Sequence, residues 1–552
     1  MKALRPGSPL APEDLADTWA FSRAEEFWEL YRPFTPYGKD RRDERRVLSD
    51  LGEIERLLDG TEAAAAWLDS AREDPAARDR AGYYLKRMPR LPGSAKTEYE
   101  LAEIFQVKKF LACYSGLRVA LDERTRASFG LEPAAEALAA ELAKGGSDPE
   151  TFFVADAYDP ALAEVRASIA RTDADLESAR LSAETRLAAR HGVRLAGRDF
   201  ALVPRAAAEA LLADRDLAVV EPYDDRLYLV HPAADSRTLG LRDRRDELAA
   251  RERNLEDAIL RRLSVLVAAA LPEICNTAER VRDFDLALAR ARLCRDLGLV
   301  RPDLSSDGDW ELRKGRFLPC EAECRELGLN YTPLAARFDR PVTTIFGSNM
   351  GGKTVALKTV LFFQVLAQAG FHVPAVLFRT RVYARLSYVG ELAGERLAGL
   401  SGFGWEIHRF IRAWEGMGDG GCLAVFDEFA RTTSSREAEA LLSAAQSELA
   451  AKPGVKSFFA THFRGLARSP DVAYLRMKGL DRKAASECLG ADAPRADAPR
   501  AERLARINRH MRYELEPDEE GPGPSDALTV AALLGLPGEI VRKAEEVVSG
   551  RQ

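Results

Sequence analysis

Apolar and polar positions along this chain follow two different periods, and the changes between them mark its organisation. Through the first 120 residues the spacing is helical, broken by proline- and glycine-bearing stretches at Pro33–Lys39 and Pro89–Ser94. Residues 125–190 are rich in Ala, Glu and Arg and predict more helix, including a long one from Asp159 to Arg190. Asp159 is suited to cap it, with Pro160 at its first position. Between Arg198 and His231 the pattern changes: DFALVP and DRLYLVHP are short strand-like runs joined through an alanine-rich helix. Helical spacing returns from Asp243 to Leu299, and an α/β alternation begins near Trp310. The twenty residues between Lys358 and Arg379 carry no charge, yet Gln364, Gln368, Gly370, His372 and Pro374 interrupt them. They predict a buried helix and then a strand, and no membrane span.

Composition narrows the field. A chain of 552 residues has room for three or four domains, and 46% apolar residues suffice for ordinary cores. The net charge of −7 and pI near 5.7 deny a globally basic surface. Any DNA contact is thereby confined to a local patch or to a channel formed on dimerisation. Two arginine-rich stretches, Lys39–Val47 and Leu241–Leu255, interleave acids with bases and predict solvated helices laced with i,i+4 pairs. The seven cysteines, Cys113, Cys275, Cys294, Cys320, Cys324, Cys422 and Cys488, form no CxxC pair. That argues against zinc and for free thiols in a reducing compartment. No apolar export segment opens the sequence, so a cytoplasmic location is expected. The tandem ADAPRADAPRA, residues 491–501, predicts a disordered surface loop.

The chemistry concentrates at Gly347-Ser348-Asn349-Met350-Gly351-Gly352-Lys353-Thr354, which has the complete phosphate-loop spacing. The β-prone run Val342–Ile345 precedes it, and a helix with apolar Val355, Leu357 and Val360 follows. Glycines there let backbone N–H groups close round the β- and γ-phosphates at the positive end of a helix. Lys353 adds a mobile point charge, and the Thr354 hydroxyl can ligate Mg²⁺. The expected ligand is ATP or GTP. Downstream, Gly421–Glu428 is an apolar strand ending in two acids and expected beside the loop. Asp427 would hold Mg²⁺ through water, and Glu428 would orient or deprotonate the attacking water. A second apolar strand, Ser457–Thr461, ends at His462, one of six histidines, placed to sense or stabilise the γ-phosphate.

GSNMGGKT, the run Asp427–Ser435 (DEFARTTSS) and FATHF at Phe459–Phe463 resemble the ATPase of the MutS family, which carries GPNMGGKS, DE-x-x-R-G-T-S and ATH. The run from Ser401 through Gly402 to Phe403 resembles that family's Ser-Thr-Phe signature, with Gly402 where the family has Thr. Arg431-Thr432-Thr433 likewise replaces Arg-Gly-Thr. The tail Ser525–Val548 resembles the family's closing helices, one stopped by Gly535 and a second begun by Pro537 with Ile540, Ala544 and Val547 on one face. This resemblance implies ATP and Mg²⁺ as cofactors, and a homodimer in which Ser401 and the Gly402 backbone reach the partner's γ-phosphate. It implies a mixed fold: an all-α core and lever with a small α/β insert, then an ABC-type α/β ATPase. The corresponding segments are 1–124 (helical core), 125–240 (lever- and clamp-like insert), 241–309 (core return) and 310–552 (ATPase with dimerisation helices).

Thr354-VALKT and Ala367–Ala375 resemble the second, usually Smr-tailed, MutS subfamily. The chain is expected to lack both the mismatch-reading domain and the Smr nuclease tail. Phe27-Trp28-Glu29 resembles the Phe-x-Glu wedge of mismatch readers, but its setting, AEEFWELYRP, predicts a core helix ended before Pro33. Three uses of the motor stay open: closure on mismatched, branched or recombining DNA; remodelling of a protein client, as in reactivation of a cobalamin-dependent aminomutase; or action on ribosomes or RNA.

Overall fold

The computed structural model describes residues 10, 12–93, 96–146, 148–195, 198–304, 309–347, 351–391, 402–417, 421–481, 508–518, 527–533 and 536–549. Ser348, Asn349, Met350, Ser401, Cys488, the 491–501 repeat, Ser525 and Gly535 lie outside them. The chain forms two compact units interleaved along the sequence: residues 1–79, 121–130 and 281–552 in the first, 80–120 and 131–280 in the second. Compactness thus divides the chain differently from the four consecutive segments read from its sequence. No helix among the described residues is long and apolar enough to cross a membrane.

The second unit is helical with one small sheet. Its helix Pro160–His191 begins as expected, with the Asp159 carboxylate accepting from the Ala161 N–H at 2.8 Å. Strands β1 (Ala201–Pro204), β2 (Ala218–Pro222) and β3 (Leu227–Pro232) form an antiparallel sheet in the order β1-β3-β2. Only β2 went unread in the sequence: its pattern is mostly exposed and shows no alternation. A helix from Ser236 to Leu297 belongs to this unit through residue 280 and to the first unit beyond it. Its arginine-rich stretch behaves as a solvated face, with Arg245 pairing Asp173 at 3.2 Å and Arg244 pairing Glu247 at 3.4 Å.

The first unit is built round a six-stranded sheet. Its strands are β6 (Val342–Phe346), β8 (Arg385–Val389), β9 (Cys422–Asp427), β10 (Val455–Thr461), β11 (Val472–Leu480) and β12 (Met511–Pro517). The order is β12-β11-β6-β10-β9-β8, parallel except for the β11–β12 pair. A smaller antiparallel sheet, in the order β5-β4-β7, comprises β4 (Trp310–Gly315), β5 (Leu334–Phe338) and β7 (Leu377–Arg379). All positions of β6 and β10 are buried because helices cover both faces of the large sheet. Alternation in β9 decides which face each residue serves. Leu423 and Val425 join the cluster under the helix Lys353–Gln368, while Cys422, Ala424 and Phe426 join the one under Ser435–Ala451.

The N-terminal helices are part of this core. Phe21, on the helix Pro12–Ser22, stacks on Tyr388 at 3.9 Å. On the helix Ala24–Leu30, Phe27 is 1% exposed and meets Phe362 and Phe371 edge-on at 6.0 and 5.3 Å. Glu29 points to solvent. The expected core-helix setting of Phe27 is therefore what the fold contains. Lys39–Val47 differs from expectation: its helix stops at Asp43, and Arg45 adopts φ 45°. Arg41 pairs Glu44 at 2.6 Å along the chain, whereas Arg45 and Arg46 pair further away, with Glu25 at 2.7 Å and Glu53 at 3.3 Å.

Candidate nucleotide-binding site

Gly347 follows β6 directly, and Gly352, with φ 89°, precedes the helix Lys353–Gln368. A side chain at Gly352 would be strained there, and its Cβ would meet Tyr513 at 3.0 Å. Lys353 is 4% exposed, and its Nζ donates to the Gly347 carbonyl at 2.6 Å. Burial draws the ammonium below its ordinary pKa, while Glu428 and Asp427 pull it back up. The next residue, Thr354, donates its hydroxyl to Asp427 Oδ1 at 3.3 Å. Burial raises the Asp427 pKa and Glu428 adds to the rise, against the Thr354 hydroxyl and Lys353.

The strand carrying Asp427, β9, reaches the helix start beside Gly352 without being the sheet neighbour of β6; β10 lies between them. Phe346 pairs with Thr461 and Asp427 with Ala460, so Gly347, Glu428 and His462 follow three adjacent strands at one sheet edge. The Glu428 N–H donates to Ala460 at 3.0 Å, and its φ is 52°. Ala430 is also left-handed, with φ 63°. Two such non-glycine residues cost on the order of 1 kcal/mol or more each, and such strain gathers where a side chain must be aimed. His462 is exposed, with its ring over Phe463 at 4.3 Å.

A cavity of about 540 Å³ opens at this edge, lined by Thr354, Asp427 and Glu428 and also by Tyr388, Glu391, Glu406 and Arg431. The last four were not anticipated as site residues. Arg431 bridges Glu428 at 3.3 Å and Glu391 at 2.5 Å and so fixes the Glu428 carboxylate. Burial raises the Glu406 pKa, and its Oε2 has no hydrogen-bond partner. Arg431 stands in the run after the paired acids; Glu391 and Glu406 have no motif spacing that could have revealed them. Gly402 opens the helix Gly402–Glu415, and a Cβ added to it would lie 3.4 Å from Thr432 Cγ2. The two departures from the family pattern therefore meet: the residue reduced to glycine faces the glycine enlarged to threonine.

The six-stranded sheet with helices on both faces, and the hydroxyl–carboxylate pair at its edge, fit an α/β ATPase domain. Residues 343–550 match the family description MutS domain V. The endonuclease MutS2 of Symbiobacterium thermophilum is 30% identical over 308 residues, 55% of this chain and 35% of that protein. The DNA mismatch repair protein MutS of Natronomonas pharaonis is 27% identical over 542 residues, 93% of this chain and 58% of that protein. The endonuclease MutS2 of Halothermothrix orenii is 28% identical over 335 residues, 58% of this chain and 37% of that protein. The chain thus carries a MutS domain V over residues 343–550. It spans about a third to three fifths of the length of these relatives.

Proposed function

We propose that this protein is an ATP-hydrolysing motor that works as a homodimer on DNA and lies on the MutS2 side of its family. The observation that carries the reading is the Thr354–Asp427 contact of 3.3 Å, beside Glu428 and the buried Lys353. Gly347 to Thr354 hold the phosphates, with Lys353 exchanging its Gly347 carbonyl for a phosphate oxygen. Thr354 and Asp427 suit Mg²⁺, as hard oxygen donors on adjoining elements, and the ion would neutralise charge on the β- and γ-oxygens. Glu428, steadied by Arg431, aligns and deprotonates the attacking water, and His462 senses the γ-phosphate from the neighbouring strand. The segment Ser401–Phe403 serves the partner's nucleotide. Ile540 and Val547, 53% and 58% exposed on the helix Gly538–Ser549, form the apolar stripe through which two chains associate. The insert 125–240 acts as lever and clamp, and the protein works in the cytoplasm.

The relatives' names favour DNA as client, and the net charge of −7 requires a local contact surface. Binding to a four-way junction, followed from 50 to 300 mM salt, tests this. DNA contact predicts a linear fall of log K with log salt, with a slope of about −0.9 per neutralised phosphate. A flat slope, or no binding at low salt, refutes the DNA client and points to a protein substrate such as an aminomutase.

A further inference from the structure

Away from the phosphate loop, the first unit contains a second cavity, of about 690 Å³, and every residue lining it belongs to that unit. Six arginines face it from three elements and the turn between them. Arg41 and Arg42 come from the helix Pro36–Asp43, Arg46 from the following turn, Arg56 from the helix Leu51–Ser70, and Arg282 and Arg290 from the end of Ser236–Leu297. Three acids share the lining, and each is already paired: Glu53 with Arg46 at 3.3 Å, Asp59 with Arg301 at 2.8 Å, Asp283 with Arg282 at 2.9 Å. Arg41 also pairs Glu44 at 2.6 Å and Arg42 lies 3.8 Å from Asp43, so Arg56 and Arg290 are the lining cations that have no carboxylate within ion-pair distance among the described residues.

Arg290 is the telling residue. It is 7% exposed, it has no carboxylate within ion-pair distance among the described residues, and its Nε has no hydrogen-bond partner. Its guanidinium is held only by aromatic faces, Tyr31 at 5.3 Å and Phe371 at 5.0 Å. Arg42 Nε is likewise buried without a partner, and Arg56 bonds only the Gly52 carbonyl, at 3.1 Å. A buried cation without a counter-charge is costly, and a structure keeps one where something else satisfies it. Guanidinium forks match phosphate oxygens bidentately, and several converging at one place exceed what a single carboxylate neutralises. The volume is that of an ordinary small-molecule site, with Trp28, Tyr31 and Phe129 as an apolar wall.

We propose that this arginine-lined cavity binds a small phosphate-bearing polyanion of nucleotide size, at a site separate from the phosphate loop. Arg290 is its buried anchor, and Arg56 with the Arg41–Arg46 turn forms its mouth. The arginine-rich stretch Lys39–Val47 thereby lends Arg41, Arg42 and Arg46 to the lining, with Arg41 and Arg46 also held by Glu44 and Glu53.

Isothermal titration of inorganic tripolyphosphate, and separately of ATP, into full-length Lys353→Ala protein reads this site with the phosphate loop disabled. We expect one site per chain, weakened at least tenfold by Arg290→Met and by Arg56→Glu, with affinity falling as salt rises. Arg56→Glu alters a side chain at the mouth and keeps the fold intact, so the test survives if Arg290→Met does not fold. Tighter binding of ATP than of tripolyphosphate identifies a nucleotide as the natural class, and equal binding, or binding of tripolyphosphate alone, identifies a site that reads the phosphates only. No binding in Lys353→Ala protein, or affinity unchanged by Arg56→Glu and by folded Arg290→Met, overturns the proposal. Failure of the phosphate-loop reading would appear differently, as nucleotide binding in the parent that Lys353→Ala leaves unaltered.

Discussion

Phe27→Ala separates a structural role for the N-terminal aromatic from a base-wedging one. The ring is 1% exposed and edge-on to Phe362, in the helix that follows the phosphate loop, and to Phe371. Truncating such a buried ring costs about 3–5 kcal/mol, into which two aromatic pairs of about 0.5–1.5 kcal/mol each are already folded. With a urea dependence of roughly 3 kcal/mol/M, the unfolding midpoint of the first unit should fall by about 1–1.7 M. Glu29→Ala, at an exposed position, should stay within about 0.5 kcal/mol. A wedge would behave otherwise, because both residues would then contribute on the scale of roughly 1–3 kcal/mol to mismatch discrimination and neither much to stability. The assay pairs urea denaturation with binding to homoduplex and single-mismatch DNA. We expect the two duplexes to bind alike, within about twofold, in parent and variants. A mismatch preference of about tenfold that disappears in folded Phe27→Ala protein refutes this reasoning.

Three further outcomes are expected. Deleting residues 525–552 should make specific activity fall steeply on dilution, and mixing Lys353→Ala with Ser401→Arg chains should restore about one working site per heterodimer; concentration-independent turnover by a monomer in sedimentation contradicts both. Gly402→Thr should lose activity by crowding Thr432, and adding Thr432→Gly should recover it, a coupling read in a double-mutant cycle; simple additivity refutes the contact. Asp285→Ala should destabilise the first unit by about 3 kcal/mol or more in urea denaturation, because the carboxylate accepts from Phe34 N–H, Thr35 N–H and the Thr35 hydroxyl at 2.7–3.0 Å. A loss below about 1 kcal/mol would show that these buried donors find other partners.

What could be read in the sequence was what local chemistry dictates. The strand and helix flanking the glycine run were legible because contiguous residues fix them, and the Asp159 cap because a single side chain does. Two features escaped because they depend on parts of the chain far apart in sequence. The insertion of β10 between β6 and β9 is a matter of strand order, which no local run encodes. The inward turn of Arg41, Arg42 and Arg46 depends on a helix that stops at Asp43 and on an unpaired arginine some 250 residues away, so the same residues look like a solvated face when read alone. Glu391 and Glu406 enter the candidate site by the same route, through neighbours set by tertiary packing.

The central claim is that the cleft holding Thr354, Asp427 and Glu428 hydrolyses ATP, and Glu428→Gln tests it most directly. The substitution keeps the shape of the side chain and removes its basicity. ATP binding by equilibrium dialysis and steady-state turnover should be measured on the same preparation. The account predicts undiminished ATP binding with turnover reduced by roughly 10²–10⁴-fold, the range for loss of a general base, whereas Lys353→Ala weakens binding itself. Turnover by the Glu428→Gln protein equal to that of the parent contradicts it.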